Sequence, residues 1–460
     1  MTIKQPPTEH SDLRTFVEDN NIHSFKMGAV DLDGLWRGKR VAADYFVESV
    51  AQTGSFMCNI LFGWDLQDIP IPNLKYTGSH TGYPDVNVRP DMSTLRLVPW
   101  EPGVASVICD VFERDGTPAV HSPRQILRSM IERSEAMGLK PVVAYEFEFY
   151  LLRGSANELE LRGWRDLEPI SQGHHTYSIY RDAGTEFLMG DVRRQLADYG
   201  VHIEASNSEH GPGQYEVNIH YGDALKAADS AMLLKHTVKE IAAQHGYTAT
   251  FIAKLKSEWA GSSGHVHLSM VDEEGTPVFS NPEDPGNLSE IGSRFMAGLI
   301  ANGPAFVPIY LPTTNSYKRV ATADWAPTTM TWGVDNRTVA IRSIPSAGTP
   351  ARVENRMAGA DANPYLVIAA SLASGLDGIV NELVPPERIV GDGYANLDEK
   401  TTAVTMTLAD AVNEFTASEV TRKYFGDEFV EHYAALRRWE IEKAAAAVTD
   451  WEIARYLEHI

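Results

Sequence analysis

Four short segments of this chain set ionisable or amide groups at every second position: Glu146-Phe-Glu148, Gln214-Tyr-Glu216, His265-Val-His267 and Arg352-Val-Glu354-Asn-Arg356. Two is the period of a β-strand, whose alternate side chains leave the same face. Each segment therefore aims its ionisable groups one way and Phe147, Tyr215, Val266 or Val353 the other. Four such strands could line one polar funnel. Carboxylates gathered this densely repel one another and stay protonated unless divalent cations compensate them, and imidazole beside carboxylate suits Mg²⁺ or Mn²⁺. The guanidinium groups have a natural role there, holding phosphate or carboxylate by paired hydrogen bonds.

At 460 residues with 43% hydrophobic content, the chain can bury a large core and is expected to hold two or more domains. Its net charge of −22 argues against nucleic acid as a partner, because phosphates demand a basic surface. Two cysteines, Cys58 and Cys109, suit a reduced cytosol, where they are small apolar core residues. The polar start, Met1 to His10, lacks a basic region followed by an apolar run, and no stretch of 18 apolar residues occurs. The expectation is a cytoplasmic protein with no membrane association.

The organisation reads as an α+β chain with an N-terminal unit over 1–115 and a larger catalytic unit over 116–460. Short strand-like runs broken by Gly and Pro fill Phe25 to about Cys109, among them Arg96–Trp100 and Ala105–Asp110. Beyond Pro123 the texture changes: Gln125–Met137 reads as a helix stopped by Gly138, and Pro141–Leu152 as a strand buried on both sides. Ala227–Gln244 is the clearest helix, with Asp229 or Ser230 as its cap and Leu234, Val238, Ile241 and Ala242 on one stripe. Tyr247–Leu255 reads as a strand leading into Gly261-Ser-Ser-Gly264, and Thr401–Ile460 as mainly helical.

Taken singly, each motif has a plainer reading. An isolated Glu-x-Glu is more often one solvated strand face, and a His pair more often satisfied than metal-bound. Gly-Ser-Ser-Gly is a weak phosphate-loop signal, Arg337 to Arg356 could be a salt-bridged surface, and Tyr317-Lys-Arg319 a plain loop.

The ordered combination is specific, and with it the chain resembles the glutamine synthetase family. The matches run in family order: Asp31-Leu-Asp-Gly34 with Arg37, Pro123-Arg124, Glu146-Phe-Glu148, Glu209 to Glu216, Gly264-His-Val-His267, Pro312-Thr-Thr-Asn-Ser-Tyr-Lys-Arg319, Asn336-Arg337, Ile341-Arg342, Arg352 to Arg356 and Asn363-Pro-Tyr365. The resemblance implies a β-grasp N-terminal domain and a catalytic domain whose curved antiparallel sheet, flanked by helices, forms the funnel. It also implies a homo-oligomer, a dodecamer of two stacked hexameric rings with sites between neighbouring subunits. Its first metal site would be Glu148, Glu209 and Glu216, and its second Glu146, His265 and Glu354. Two to three Mg²⁺ or Mn²⁺ ions per site would bridge ATP, the co-substrate, and orient glutamate's γ-carboxylate for phosphorylation. Arg337 and Arg342 would stabilise the transferring phosphoryl group. Glu204, His267, Ser269, Arg342 and Arg352 match positions near ATP, while Arg319 and Arg356, with Gly261 and His265, match those that hold glutamate; Arg319 is also counted with the catalytic arginines.

The departures from the family pattern bear on the acceptor. Where the family's flap reads Gly-Tyr-Glu-Ala-Pro, with a Glu that deprotonates ammonium, this chain reads Ala323-Asp-Trp-Ala-Pro327. Trp325 stands in place of the acid, with Asp324 one position earlier; it cannot take a proton, but it can pack against a carbon-bearing amine. The family's Phe-Asp-Gly-Ser-Ser element is replaced by Leu61-Phe-Gly-Trp-Asp-Leu66, its acid either missing or displaced to Asp65. Ala260 replaces an asparagine that contacts glutamate, and Gly393-Tyr-Ala-Asn396 only loosely matches the loop adenylylated in bacterial members. Trp325, Asp65, Trp64 and Tyr177 form the expected amine pocket, with Tyr180 also bearing on its volume. The resemblance thus points to ligation of glutamate to a primary amine other than ammonia, giving a γ-glutamyl amide and opening a catabolic route for the amine. The alternatives are an ammonium-dependent glutamine synthetase and a non-catalytic structural relative.

Overall fold

The computed structural model describes residues 10–321, 325–346, 348–395 and 401–460, so that Met1–Glu9, Ala323, Asp324 and Asn396 lie outside the described residues. A first sheet gathers β1 (Ser24–Val30), β2 (Trp36–Ala42), β3 (Ser55–Cys58), β4 (Asp85–Pro90), β5 (Arg96–Leu97) and β6 (Val104–Phe112). Its order is β2-β1-β6-β4-β3 with β5 against β6; β1 runs parallel to β6, and the other pairs are antiparallel. The β1–β2 turn explains the Asp31-Leu-Asp-Gly34 motif. Asp31 Oδ1 accepts from the Asp33 and Leu35 N–H groups, Oδ2 accepts from Arg37 Nε at 2.6 Å, and Gly34 takes a φ of +85° that favours glycine.

The second sheet is built from β7 (Lys140–Arg153), β8 (Ile203–Ser208), β9 (Gln214–Ile219), β10 (Gly222–Asp223), β11 (Tyr247–Thr250), β12 (Gly264–Val271), β13 (Trp332–Val334), β14 (Ile341–Ile344) and β15 (Arg352–Asn355). It is curled like half a barrel, in the order β13-β14-β15-β12-β7-β9-β8, with β10 and β11 on opposite ends of the long β7. Its pairs are antiparallel except β13–β14. Up to Glu148, β7 alternates between buried and half-buried residues, and only Phe149–Leu152 are buried on both faces. Tyr145 and Phe147 stack at 4.6 Å on the core face, leaving Glu146 and Glu148 on the other.

Helices cover the core face. The helix Pro364–Val380 is buried over nearly its whole length, and Asn363 caps it by accepting from the Tyr365 and Leu366 N–H groups while donating to the Asp31 and Leu32 carbonyls of the first sheet's turn. Asn363-Pro-Tyr365 thus serves the structure, supplying cap, first-turn proline and anchor in one step. Helix Pro123–Glu135 carries Arg124, which is buried and binds Asp91, Asp110 and Asp229, tying the first sheet to helix Ala224–Gln244.

Three further local expectations change. Asp229 is no helix cap: the helix begins at Ala224, and Asp229 faces inward to Arg124 and to Tyr365 Oη at 2.7 Å. The strand expected over Tyr247–Leu255 ends at Thr250, because the Asn315 side chain bonds both the N–H and the carbonyl of Lys254 at 2.9 Å, replacing a ladder partner. Arg96–Trp100 likewise shortens to Arg96–Leu97. Among the described residues no helix is long and apolar enough to cross a membrane.

Candidate active site

Strand register builds the site. Glu148 of β7 lies directly opposite Glu216 of β9, and Glu146 lies opposite His265 of β12. His267 is paired with Glu354 of β15, which in turn is paired with Arg342 of β14. Directly opposed residues carry Cβ atoms about 5 Å apart, so the period-two pattern on each strand becomes a patch of acid, imidazole and guanidinium across five strands. The patch floors a cavity of about 520 Å³ lined by Glu146, Glu148, Glu209, Glu216, His265 and Glu354, by Arg319, Arg337, Arg342 and Arg356, and by Gly261, Tyr177 and Trp325.

The two expected metal sets differ in their electrostatics. Glu146, His265 and Glu354 already offer ligand atoms within 4.8 Å of one another, and His265 Nε2 is buried without a hydrogen-bond partner. Burial alone would raise the Glu146 carboxyl, but hydrogen bonds from His265 and His267 outweigh it and hold it well below the usual range. Glu354 is likewise driven up by burial, yet Arg356 and His265 bring it down to about 2. The charge and spacing of this set suit a divalent cation. In the other set two acids are pushed the opposite way. Burial, then Glu148, raises Glu209 to about 7; burial, then Glu146 and Glu148, raises Glu216 to about 9. A divalent ion held by Glu148, Glu209 and Glu216 would displace those protons and relieve the repulsion among the acids. Both donor sets, three carboxylates in one and two carboxylates with an imidazole in the other, fit Mg²⁺ or Mn²⁺.

Amide and backbone groups, unflagged in the sequence, orient the acids. Asn207 Nδ2 donates to Glu209 Oε1 at 3.0 Å, Asn218 Nδ2 to Glu216 Oε1 at 3.1 Å, and the Ser263 N–H to Glu148 Oε2 at 2.7 Å. The signal was available: Asn207 and Glu209, like Glu216 and Asn218, obey the same period of two. Asp335 was also missed; it accepts from Arg342 Nε at 3.1 Å and aims that guanidinium, whose Nη1 reaches Glu354 Oε2 at 2.9 Å. Arg319 is buried and donates to the Met357 and Arg356 carbonyls, while Arg356 donates to Glu354 and keeps Nε without a partner.

The remaining expected residues divide. His267, Ser269 and Arg352 continue the same face beyond the cavity: His267 Nε2 lies 3.0 Å from Glu146, Arg352 Nε donates to His267 Nδ1 at 3.3 Å, and Ser269 donates to the Ala351 carbonyl. Glu204 sits exposed at a bulge of β8, 3.8 Å from His220. Tyr177 and Trp325 stand at the cavity mouth, 69% and 62% exposed, both with left-handed φ of 57° and 60°. Trp64 and Asp65 do not reach this cavity within the chain. Asp65 accepts from the Gln67 and Ile69 N–H groups and from Trp439 Nε1, and Arg37 covers the Trp64 ring at 5.2 Å, so both are committed to their own loop. Tyr180 is exposed away from it.

Such a site has the chemistry of a metal-assisted centre that handles phosphate and carboxylate. Residues 120–456 match the glutamine synthetase catalytic domain. The chain is 52% identical to a glutamate–isopropylamine ligase of a Pseudomonas species, covering 97% of this chain and 98% of that protein. It is 35% identical to a γ-glutamylethanolamide synthetase of Streptomyces coelicolor over 99% and 97%, and 30% identical to a glutamine synthetase of Thermotoga maritima over 97% and 98%. A solved GmaS–ADP complex superposes with a TM-score of 0.85 at 28% identity, covering 97% of this chain and 99% of that one. The chain belongs to the glutamine synthetase family, whose members use ATP and divalent metals.

Proposed function

We propose that this protein is an ATP-dependent ligase that joins the γ-carboxylate of L-glutamate to a primary amine other than ammonia. The observation that carries the reading is the composition of the cavity mouth. Among the described lining residues every acid belongs to the metal cluster, and the exposed end is formed by Trp325 and Tyr177. A mouth without a spare carboxylate does not attract ammonium by charge, whereas an aromatic wall packs against carbon. The amide-forming relatives support the same reading.

Bound at Glu146, His265 and Glu354 and at Glu148, Glu209 and Glu216, divalent cations, Mg²⁺ or Mn²⁺, would neutralise the phosphate charge. Arg319 and Arg356 would hold glutamate. A γ-carboxylate oxygen forms a bond to the γ-phosphorus of ATP as the bond to ADP breaks, with Arg337 and Arg342 placed against the charge that develops. The uncharged amine then attacks the acyl carbon of the γ-glutamyl phosphate; a C–N bond forms, phosphate leaves, and the nitrogen loses one proton. His267, Ser269, Arg352 and Glu204, beyond the cavity, are assigned to the nucleotide.

The family's double-ring assembly is proposed too. Exposed apolar residues at the C-terminal end, Trp451, Leu457 and Ile460, support a covering neighbour. The two free cysteines agree with a cytoplasmic setting.

The test is product formation from ATP, Mg²⁺ and glutamate with ammonium set against a panel of alkyl-, aryl- and hydroxyalkylamines. The expected result is poor glutamine formation and clear amide formation with at least one small primary amine. Efficient use of millimolar ammonium, with no organic amine better, would establish the ammonium-dependent alternative; metal binding without ATP turnover would establish a non-catalytic one.

A further inference from the structure

A second cleft of about 570 Å³ adjoins the metal cavity and shares two walls with it, Trp325 and Arg337. Its other sides come from the turn after β13 and from the segment 388–391, with Val334, Ile389 and Val390 as its apolar surface. The walls are fixed. Ile389 N–H donates to the Trp332 carbonyl at 2.9 Å, and Asn336 Nδ2 donates to the Gly391 carbonyl at 2.8 Å, while Asn336 Oδ1 accepts from the Thr338 N–H and so shapes the turn that carries Arg337.

Taking the proposed function as its basis, we propose that the carbon substituent of the acceptor amine lodges in this second cleft, and that Ile389, Val390 and Val334 select monoamines with a neutral apolar tail. Geometry supports this. Arg337 is the group assigned to the transferring phosphoryl, so the attacking nitrogen stands beside it; the cavity behind is filled by acids and arginines, and the space that opens past Trp325 is the apolar cleft. Trp325 holds a left-handed φ of 60°, a conformation uncommon for a bulky side chain. It stands as the partition between the two spaces. Charge sets the class of tail. Arg337 and Arg388 line the cleft, and its one acid among the described residues, Asp335, is occupied by Arg342. A second ammonium at the far end of a diamine meets cations there and finds no free carboxylate.

The experiment measures kcat/KM of the wild-type enzyme for n-alkylamines from methyl to hexyl, for 1,6-diaminohexane, and for hydroxylamine as an acceptor with no tail. In an open cleft each methylene is about half buried, which is about a twofold gain per carbon. The expected result is that rise, with the diamine at least tenfold below hexylamine. Ile389→Trp should lower the hexylamine-to-hydroxylamine ratio at least tenfold, and Arg388→Glu should narrow the diamine deficit at least threefold. A flat wild-type series, a diamine equal to hexylamine, or equal losses for both acceptors in Ile389→Trp would overturn the inference. Hydroxamate formation with a flat alkyl series removes this inference alone, whereas no amide product with any acceptor removes the proposed function and this inference with it.

Discussion

Glu148 and Glu216 face each other across neighbouring strands, and burial with the neighbouring carboxylates raises Glu216 although Asn218 donates to it. That tension gives single residues in the floor disproportionate leverage. Glu148→Ala and His265→Ala are each expected to abolish amide formation while size-exclusion elution and circular dichroism stay unchanged, because each removes a ligand from a surface the strands hold independently. Wild-type-like turnover in either variant would dismiss the two-metal assignment. The arginines separate by kinetic signature. Arg356→Lys keeps a charge but loses the planar fork, so the KM for glutamate should rise at least tenfold with a smaller change in kcat. Arg337→Ala should lower kcat at least a hundredfold with little change in KM, since its contact strengthens as charge develops on the phosphoryl group. Steady-state kinetics on both variants decides this, and the reverse pattern would exchange the two roles.

At the scale of elements, alternation was the legible part. The four period-two segments lie on β7, β9, β12 and at β15, and their facing residues, all but His267 and Arg352, meet in one cavity. What alternation could not carry was every feature set by partners distant in sequence. Asp229 looks like a cap beside its helix start, but Arg124, 105 residues away, turns it into a buried acceptor. Lys254 looks like a strand residue, but the Asn315 amide takes its ladder positions. Trp64 and Asp65 are expected at the amine from family position; bonds to Ile69, Trp439 and Arg37 fix their loop outside this chain's own cavity, so an amine site that includes them is one shared between subunits. Asn363 shows the opposite, a sequence motif whose weight is structural. Asn363→Ala removes the cap of a buried helix and its donors to the Asp31 turn together, and should lower stability by about 2 kcal/mol. A urea midpoint matching the wild type would show that the cap is redundant, and the amine preference should stay unchanged in either case.

For the whole molecule, acidity and the metals belong together. The chain carries a net charge of −22, and five glutamates crowd one cavity, so folding without cations concentrates repulsion where the strands force it. Glu209 near 7 and Glu216 near 9 both stand above the ordinary carboxyl value of 4.5, each raised first by burial and then by neighbouring carboxylates. A carboxyl raised on folding favours the fold in its protonated form. Its contribution is complete below the unfolded value and is lost as pH rises through the folded one. The ion-free protein therefore sheds this part of its stability between about pH 5 and pH 9, the window in which added metal can displace protons and replace it. The gain in Tm on adding Mg²⁺ or Mn²⁺ over a chelated sample should be small at about pH 6 and larger at about pH 8.5, reaching about 5 °C when the metal stands at about a hundred times its Kd. Depressed acids outside the cavity, such as Asp91 beside Arg124, change the absolute Tm, but subtracting the chelated from the loaded curve at each pH removes the contributions that metal does not touch. Binding should also release protons, detectable as a calorimetric enthalpy that varies with the ionisation enthalpy of the buffer. A metal-induced gain that is constant or shrinks across that same pH range, with no buffer dependence, would mean that Glu209 and Glu216 are already ionised in the folded chain and that the repulsion between them is relieved by something other than the metal.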